Sequence, residues 1–287
     1  MAFDGFLMAA LTKELSDRLT GGHLQKISQP EQDELILAVK NNRQTWRLVL
    51  SASPSLPLIY LTDKSKTAPL TAPNFCMLLR KHLSGARICR IYQHELERVI
   101  FIEFENRNEL GDLVHRNLVI EIMGKHSNII FLDEENKIVD SIRHVSALVS
   151  SVREVLPGRT YFIPNTREKH NPFELTTELW MTELTKQPVS IAKGLCNYLT
   201  GFSFSMAQEV AYRCHLDGDN PFASCNGNQL STLLSCLRAL MEHVKNGNFE
   251  PEIVFHNGEP VEFSAFEMKR YEAEGYEHRP FESVSRM

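Results

Sequence analysis

The sequence predicts an α+β fold, in which a mainly antiparallel sheet domain carrying helices is followed by an all-α domain. Three observations predict it. Residues 24–61 hold four short apolar runs, HLQKIS, ELILAVK, TWRLVLSA and LPLIYLT, broken by QPEQD, NNRQ and ASPS. Short breaks rich in turn formers between such runs are the mark of a β meander. Residues 117–132, NLVIEIMGKHSNIIFL, alternate Leu118, Ile120 and Ile122 with Val119, Glu121 and Met123 before a second apolar run, so they read as two strands joined by a hairpin loop. From Leu175 to about Lys245 the pattern changes to four helical segments, LTTELWMTELTK, SIAKGLCNYL, SMAQEVAYRCHL and NQLSTLLSCLRALMEHVK.

The elements follow in order. Leu7, Leu11, Leu15 and Leu19 recur every four residues, a one-sided amphipathic helix over 6–19. Asp4 stands at its N-cap position and Gly21-Gly22 ends it. After the meander, APNFCMLLRKHLSGARI opens on Pro73 and reads as a short helix ending at Gly85. RICRIYQHELERVIFIEFENR, the GKHSN hairpin and KIVDSIRHVS return to strands. In the hairpin, Ser127 and Asn128 are expected to bond their own backbone. Lys125 and His126 then stand at the tip, either as a solubilising turn or as recognition residues held out by buried strands. In the helical region, Leu199 to Ser205 joins the second and third segments by LTGFSFS. The pattern fits a helix-hairpin-helix loop, whose backbone N–H groups suit a phosphate oxygen, although Ser203 stands where a second Gly is typical. A plain αα-hairpin fits it as well. PEIVFHNGEPVEFSAF holds two short strands around a His-Asn-Gly-Glu turn, and these are expected to return to the first domain.

Composition narrows the function classes. At 287 residues, with 43% apolar and 23% charged, the chain suits a globular protein of one or two domains. It has no apolar run long enough to span a bilayer, so no membrane role is expected. Six cysteines without a CxxC pair predict neither a zinc site nor a disulfide framework, and with no secretory leader pattern at Met1–Leu15 they predict a reduced, cytoplasmic protein. Ten acids against five Lys and Arg after residue 240 account for the net charge of −5, and the first 240 residues are neutral overall. A basic face must therefore come from spatial sorting of charges.

Motifs for catalysis are absent. The chain has no GxSxG, GxxxxGK, GxGxxG or HExxH, and His82, His94, His126 and His144 lack metal-ligand spacing. No cofactor, metal or enzymatic activity is expected. Basic residues recur near strand ends and on one helix, among them Arg80, Lys81, Arg87, Arg90, Arg98, Lys125, Arg143 and Arg153. Several gathered on one face would hold a phosphate backbone; any one taken singly reads as an ordinary surface cation.

Longer motifs carry a resemblance. MAFDGF, LSASPSLPLIYLT, FCMLLRKHL, LERVIFIEFENRNELGD, VIEIMGKHSNIIFLDEENKIVDSIRHVS and REVLPGRTY strongly resemble the NFACT-N domain of the RqcH and NEMF family. Bacterial members of that family are also called fibronectin-binding protein A. The resemblance covers the whole chain. It implies an NFACT-N domain over 1–172 and a helix-hairpin-helix domain over 173–247. Residues 248–287 are then strands returning to the first domain and a lead-in to a coiled coil. Family members continue into that coiled coil and an NFACT-R domain, so the chain, which stops at SVSRM, is expected to be an N-terminal portion of a longer protein. The implied fold is similar to the N-terminal domain of formamidopyrimidine-DNA glycosylases. Those use an N-terminal proline nucleophile, whereas this chain opens Met1-Ala2-Phe3, so lyase chemistry is not expected.

The resemblance also implies a function: ribosome-associated quality control. Proteins of this family bind a large ribosomal subunit obstructed by peptidyl-tRNA, recruit alanyl-tRNA and support C-terminal alanine tailing, while peptidyl transfer stays with the ribosome. The family residues tied to tRNA map onto Asp4, Glu97 and Arg98, with Glu97 standing where the family has Asp. Engagement is expected near the anticodon arm. Arg80, Lys125, His126 and Arg143 are expected as added RNA backbone contacts. The alternative is an extracellular fibronectin-binding adhesin, which the cysteines and the missing leader pattern disfavour. A nucleic-acid-cleaving enzyme comes third.

Overall fold

The computed structural model describes residues 3–164 and 169–287. Met1, Ala2 and residues 165–168, near the end of the first expected domain, lie outside the described residues. Helix α1 spans Gly5–Leu19 and buries Leu7, Leu11, Leu15 and Leu19, the stripe that its four-residue spacing lays on one face. The chain forms two compact units, one of Thr12–His94 and Val99–Thr166, the other of Met1–Leu11, Glu95–Arg98 and Arg167–Met287.

The first of these is built on a sheet of two meanders. Strands β1 (His23–Glu31), β2 (Glu34–Asn41), β3 (Gln44–Ser51) and β4 (Leu58–Thr62) make one, joined by short connections. Helix α2 (Asn74–Leu83) follows. Then β5 (Arg87–Gln93), β6 (Val99–Arg107), β7 (Leu113–Glu121), β8 (Asn128–Leu132) and β9 (Ile138–Ser141) make the other. Every pairing is antiparallel, and the order β4-β3-β2-β1-β5-β6-β7-β8-β9 places the two meanders edge to edge. At that seam β1 and β5 pair through His23 and Arg87. Strand β8, NIIFL, is buried at every position, as a continuous apolar run in a covered strand should be. Helix α2 lies on β1, where the Cys76 thiol and Arg80 Nε reach the carbonyl of Ile27, the latter at 2.9 Å.

Residues 145–163 are fastened to this sheet by a buried ion pair. Glu121, at the end of β7, is fully buried and accepts from both Arg153 Nη2 at 2.6 Å and the Tyr161 hydroxyl at 2.8 Å. Arg153 also bonds the Phe162 carbonyl and lies over the Tyr161 ring, 5.4 Å from its centroid. Val155 and Tyr161 pack with Val99, Phe101, Val119 and Ile130 beneath them.

The second unit holds α3 (Thr177–Thr182), α4 (Ile191–Tyr198), α5 (Phe204–Arg213) and α6 (Gly227–Lys245), with β10 (Glu252–His256), β11 (Glu259–Ser264) and β12 (Tyr276–Pro280). The first helical segment is shorter than its sequence pattern, α3 passing into a 3-10 turn at Leu184–Lys186. Caps explain the helix starts. Thr176, Ser190 and Ser203 each accept from a first-turn amide, and Asn226 with Gln229 forms a reciprocal capping box. The core gathers Trp180, Phe222, Phe202, Leu233 and Leu237, and Trp180 Nε1 donates to the Leu230 carbonyl at 2.9 Å.

The strands after residue 248 pair with none of the strands of the large sheet. They form a separate three-stranded sheet in the order β11-β10-β12. The reason is pairing: β10 is taken on one edge by β11 and on the other by β12. No helix among the described residues is long and apolar enough to cross a membrane.

Replacing Arg153 by Ala leaves the Glu121 carboxylate buried without its cation. The variant is expected to lose about 3–5 kcal/mol of stability in urea unfolding; a loss below about 1 kcal/mol would show that the ion pair does not hold this segment.

Candidate functional site

Three stretches distant in sequence meet at the start of α1: Phe3–Gly5, the β5–β6 turn at Glu95–Arg98, and the α4–α5 loop at Leu199–Ser203. All belong to the second unit. Asp4 is the centre. Its Oδ1 accepts from the backbone N–H of Phe6 at 3.1 Å and of Leu7 at 3.0 Å, which caps α1. Its Oδ2 accepts from the Ser203 hydroxyl at 2.7 Å. Ser203 Oγ in turn accepts from Met206 N at 3.1 Å and caps α5. A single hydrogen bond therefore joins the caps of two helices.

The backbones are in close contact here. Gly5 N donates to Gly201 O at 2.9 Å. A Cβ on Gly5 would lie 2.2 Å from the Leu96 carbonyl oxygen and 2.6 Å from Gly201 Cα. Gly201 has φ +85°, and a Cβ there would lie 2.5 Å from Leu96 Cβ. Neither position admits a side chain without moving backbone. Phe6 and Phe202 meet edge to face at 4.8 Å between centroids, beside fully buried Leu96.

This packing fixes the turn that carries Glu97 and Arg98. Glu95 holds φ +50° to make it tight, and Leu96 anchors it. Glu97 is half-buried, and Arg98 is exposed. Arg98 makes no hydrogen bond or ion pair with the described residues. The structure thus draws the backbone at Asp4 and the root of the Glu97-Arg98 turn together and presents one uncommitted guanidinium at the edge.

Burial pushes the Asp4 carboxyl up from an ordinary 3.8 to about 6; the bonds from Leu7, Ser203 and Phe6 oppose the rise, and the nearby Glu262 carboxylate adds to it. Glu262 accepts from Ser205, whose hydroxyl also receives Arg270 Nη2 at 3.1 Å.

The other expected residues lie in the unit of the nine-stranded sheet. Lys125 and His126 are exposed on a 3-10 turn at the β7–β8 tip. The Ser127 hydroxyl bonds the backbone of the turn, accepting from Met123 N at 2.8 Å. Arg143 points inward: its guanidinium donates to the carbonyls of Lys125 at 3.0 Å, Ser127 at 3.4 Å and Ala52 at 3.0 Å. Its backbone is gripped by Asn128 through two further bonds. Arg80 is likewise bonded to the Ile27 carbonyl. Both Arg80 and Arg143 are engaged in holding the fold.

Sequence reading missed Ser203 as a partner of Asp4. The signal was there, since a Ser directly before an amphipathic segment is a strong N-cap.

The chain matches the family of NFACT N-terminal and middle domains over residues 4–287. It belongs to that family. A Bacillus subtilis relative named Rqc2 homolog RqcH is 35% identical over 288 residues, an alignment covering all of this chain and 48% of the relative. The chain thus spans about half the length of that relative. A more distant match, the Saccharomyces cerevisiae protein named ribosome quality control complex subunit 2, is 28% identical over 177 residues, or 59% of this chain and 16% of that protein. Among solved structures, the N-terminal part of the fibronectin/fibrinogen-binding protein from Streptococcus suis superposes with a TM-score of 0.79. It is 31% identical, covering 99% of this chain and 97% of that one.

Two outcomes test the junction. Gly5→Ala is expected to cost about 1–3 kcal/mol in denaturant melts, since its Cβ meets backbone. The folded pKa of Asp4 lies above the unfolded one, so the folded chain holds this proton longer. Its contribution is full below about pH 4 and lost as pH rises through about 6. Asp4→Asn keeps an oxygen for the two amides and is expected to flatten that part of the decline in melts from pH 4 to 7. Parallel pH profiles would contradict it.

Proposed function

We propose that this chain is the tRNA-engaging N-terminal part of a ribosome-associated quality control factor, and that Asp4, Glu97 and Arg98 form its tRNA site. The observation that carries the reading is the packing of the Leu96 turn on Gly5, next in sequence to Asp4, with Arg98 two residues on from Leu96, exposed and without a partner among the described residues. Arg suits the work, because its planar guanidinium stacks on bases and bonds phosphates in pairs. Asp4 acts through position: it joins two helix caps, so the backbone around the site is held before RNA arrives. Glu97 keeps the charge of the family Asp on a stem one methylene longer.

In this reading the α4–α5 loop is a helix-hairpin-helix element, its helix start capped by Ser203. Lys125 and His126 add backbone contacts from the β7–β8 tip, while Arg80 and Arg143 serve the fold. The whole protein binds the large ribosomal subunit obstructed by peptidyl-tRNA and supports alanine tailing with alanyl-tRNA in the cytoplasm. Bond formation stays with the ribosome, and this chain acts as a binding factor with no catalytic group. The names of the RqcH and Rqc2 relatives support the quality-control role.

The name of the Streptococcus suis structure supports a second reading, fibronectin binding. Immobilised fibronectin tests it directly: saturable capture of the purified chain would favour adhesion.

For the tRNA reading, binding of the chain to tRNA is measured across a salt series. Wild type is expected to bind and weaken with salt, and Arg98→Ala to weaken binding by about 1–3 kcal/mol at low salt. Equal affinity of the two proteins would remove Arg98 from the site.

A further inference from the structure

On the outward face of the large sheet, three adjacent strands bring together a thiol, a carboxylate and an imidazole. Cys89 comes from β5, Glu105 from β6 and His115 from β7. One ligand atom from each lies within 4.8 Å of the others.

The backbone explains why they converge. Glu105 pairs across the sheet with Arg87 on one side and His115 on the other. A β-bulge between Ile88 and Arg90 leaves Cys89 as the extra residue of β5. Ile88 and Ile91 stay buried on the inner face, so the bulge sets Cys89 and Arg90 side by side on the outer one. Arg90 turns away over the Tyr92 ring, 4.2 Å from its centroid. The Cys89 thiol donates to the Arg87 carbonyl at 3.8 Å, with Glu105 and His115 close by.

Two neighbours orient the set. His115 Nδ1 lies 3.0 Å from Glu103 Oε1. A carboxylate there accepts the Nδ1 proton and leaves the lone pair on Nε2, the arrangement that second-sphere carboxylates impose on metal-binding histidines. Arg87 Nε donates to Glu105 Oε1 at 2.5 Å, which fixes the carboxylate through one oxygen and leaves the other for a ligand bond.

We propose that Cys89, Glu105 and His115 bind a thiophilic divalent cation of the zinc class, with Glu103 as the positioning residue of His115. The thiol loses its proton to solvent on binding, and thiolate plus carboxylate then balance the dication beside a neutral imidazole. Tetrahedral zinc, with bonds of about 2.0–2.3 Å, spaces its ligands by about 3.3–3.8 Å. Closure from a spacing of up to 4.8 Å needs about 1.5 Å of approach between ligand atoms at most, within the reach of side-chain rotation. Three protein ligands leave a fourth position open, as at zinc sites that take a water or an outside ligand. Harder cations such as magnesium are poorly suited to a thiolate.

The test is titration of the purified chain with Co2+, followed by Zn2+. Wild type is expected to take one equivalent of Co2+ with a thiolate-to-cobalt charge-transfer band, abolished by Zn2+. Cys89→Ser is expected to lose the band, and Glu103→Gln to weaken binding about 10–100-fold while keeping it. His115→Gln is expected to reduce affinity further. These positions are at the surface, and unchanged circular dichroism of the metal-free variants verifies their fold. No band in wild type at one equivalent would overturn the proposal. So would a band that survives in Cys89→Ser.

Discussion

The contact of Gly5 with Leu96 and Gly201 is the constraint on which the candidate site depends. A Cβ on Gly5 would lie 2.2 Å from a backbone oxygen, so the three segments touch as bare backbone. That proximity lets Asp4 reach Ser203 and lets one hydrogen bond tie the caps of α1 and α5. It also determines where the β5–β6 turn stands, because buried Leu96 immediately precedes Glu97 and Arg98. Keeping a carboxylate in this confined place has a cost, visible as the raised pKa of Asp4.

The arginines illustrate how structure sorts residues that a sequence presents as equals. Arg153 is buried against Glu121 and holds residues 145–163 to the sheet. Arg143 ties a hairpin tip to the carbonyl of Ala52, and Arg80 ties α2 to β1. Arg98 alone of these four has no partner among the described residues. A guanidinium left in water on a rigid turn keeps all its donors for a ligand, and little side-chain packing is lost when it binds.

Much of the fold was legible because its signals are local. Turn formers between short apolar runs marked both meanders, and four-residue spacing with Asp4 at the cap marked α1. Pairing was less legible. Strand β12, YEHRP, is polar and carries no alternation, so nothing in the sequence announced that β10 would be filled on both edges. Asp4, Glu97 and Arg98 were reached through family motifs; local chemistry would have left them as an N-cap and a pair of turn charges. The fate of Arg143 was hidden because its carbonyl partner Ala52 is 91 residues away. Cys89, Glu105 and His115 have no ligand spacing along the chain, since a bulge and two strand registers align them.

Amide hydrogen exchange of this chain with and without tRNA tests the central claim most directly. The account predicts that tRNA slows exchange at residues 3–7, 95–98 and 199–206, the three segments that meet around Asp4. Protection confined to other segments, or none in the presence of bound tRNA, would contradict it.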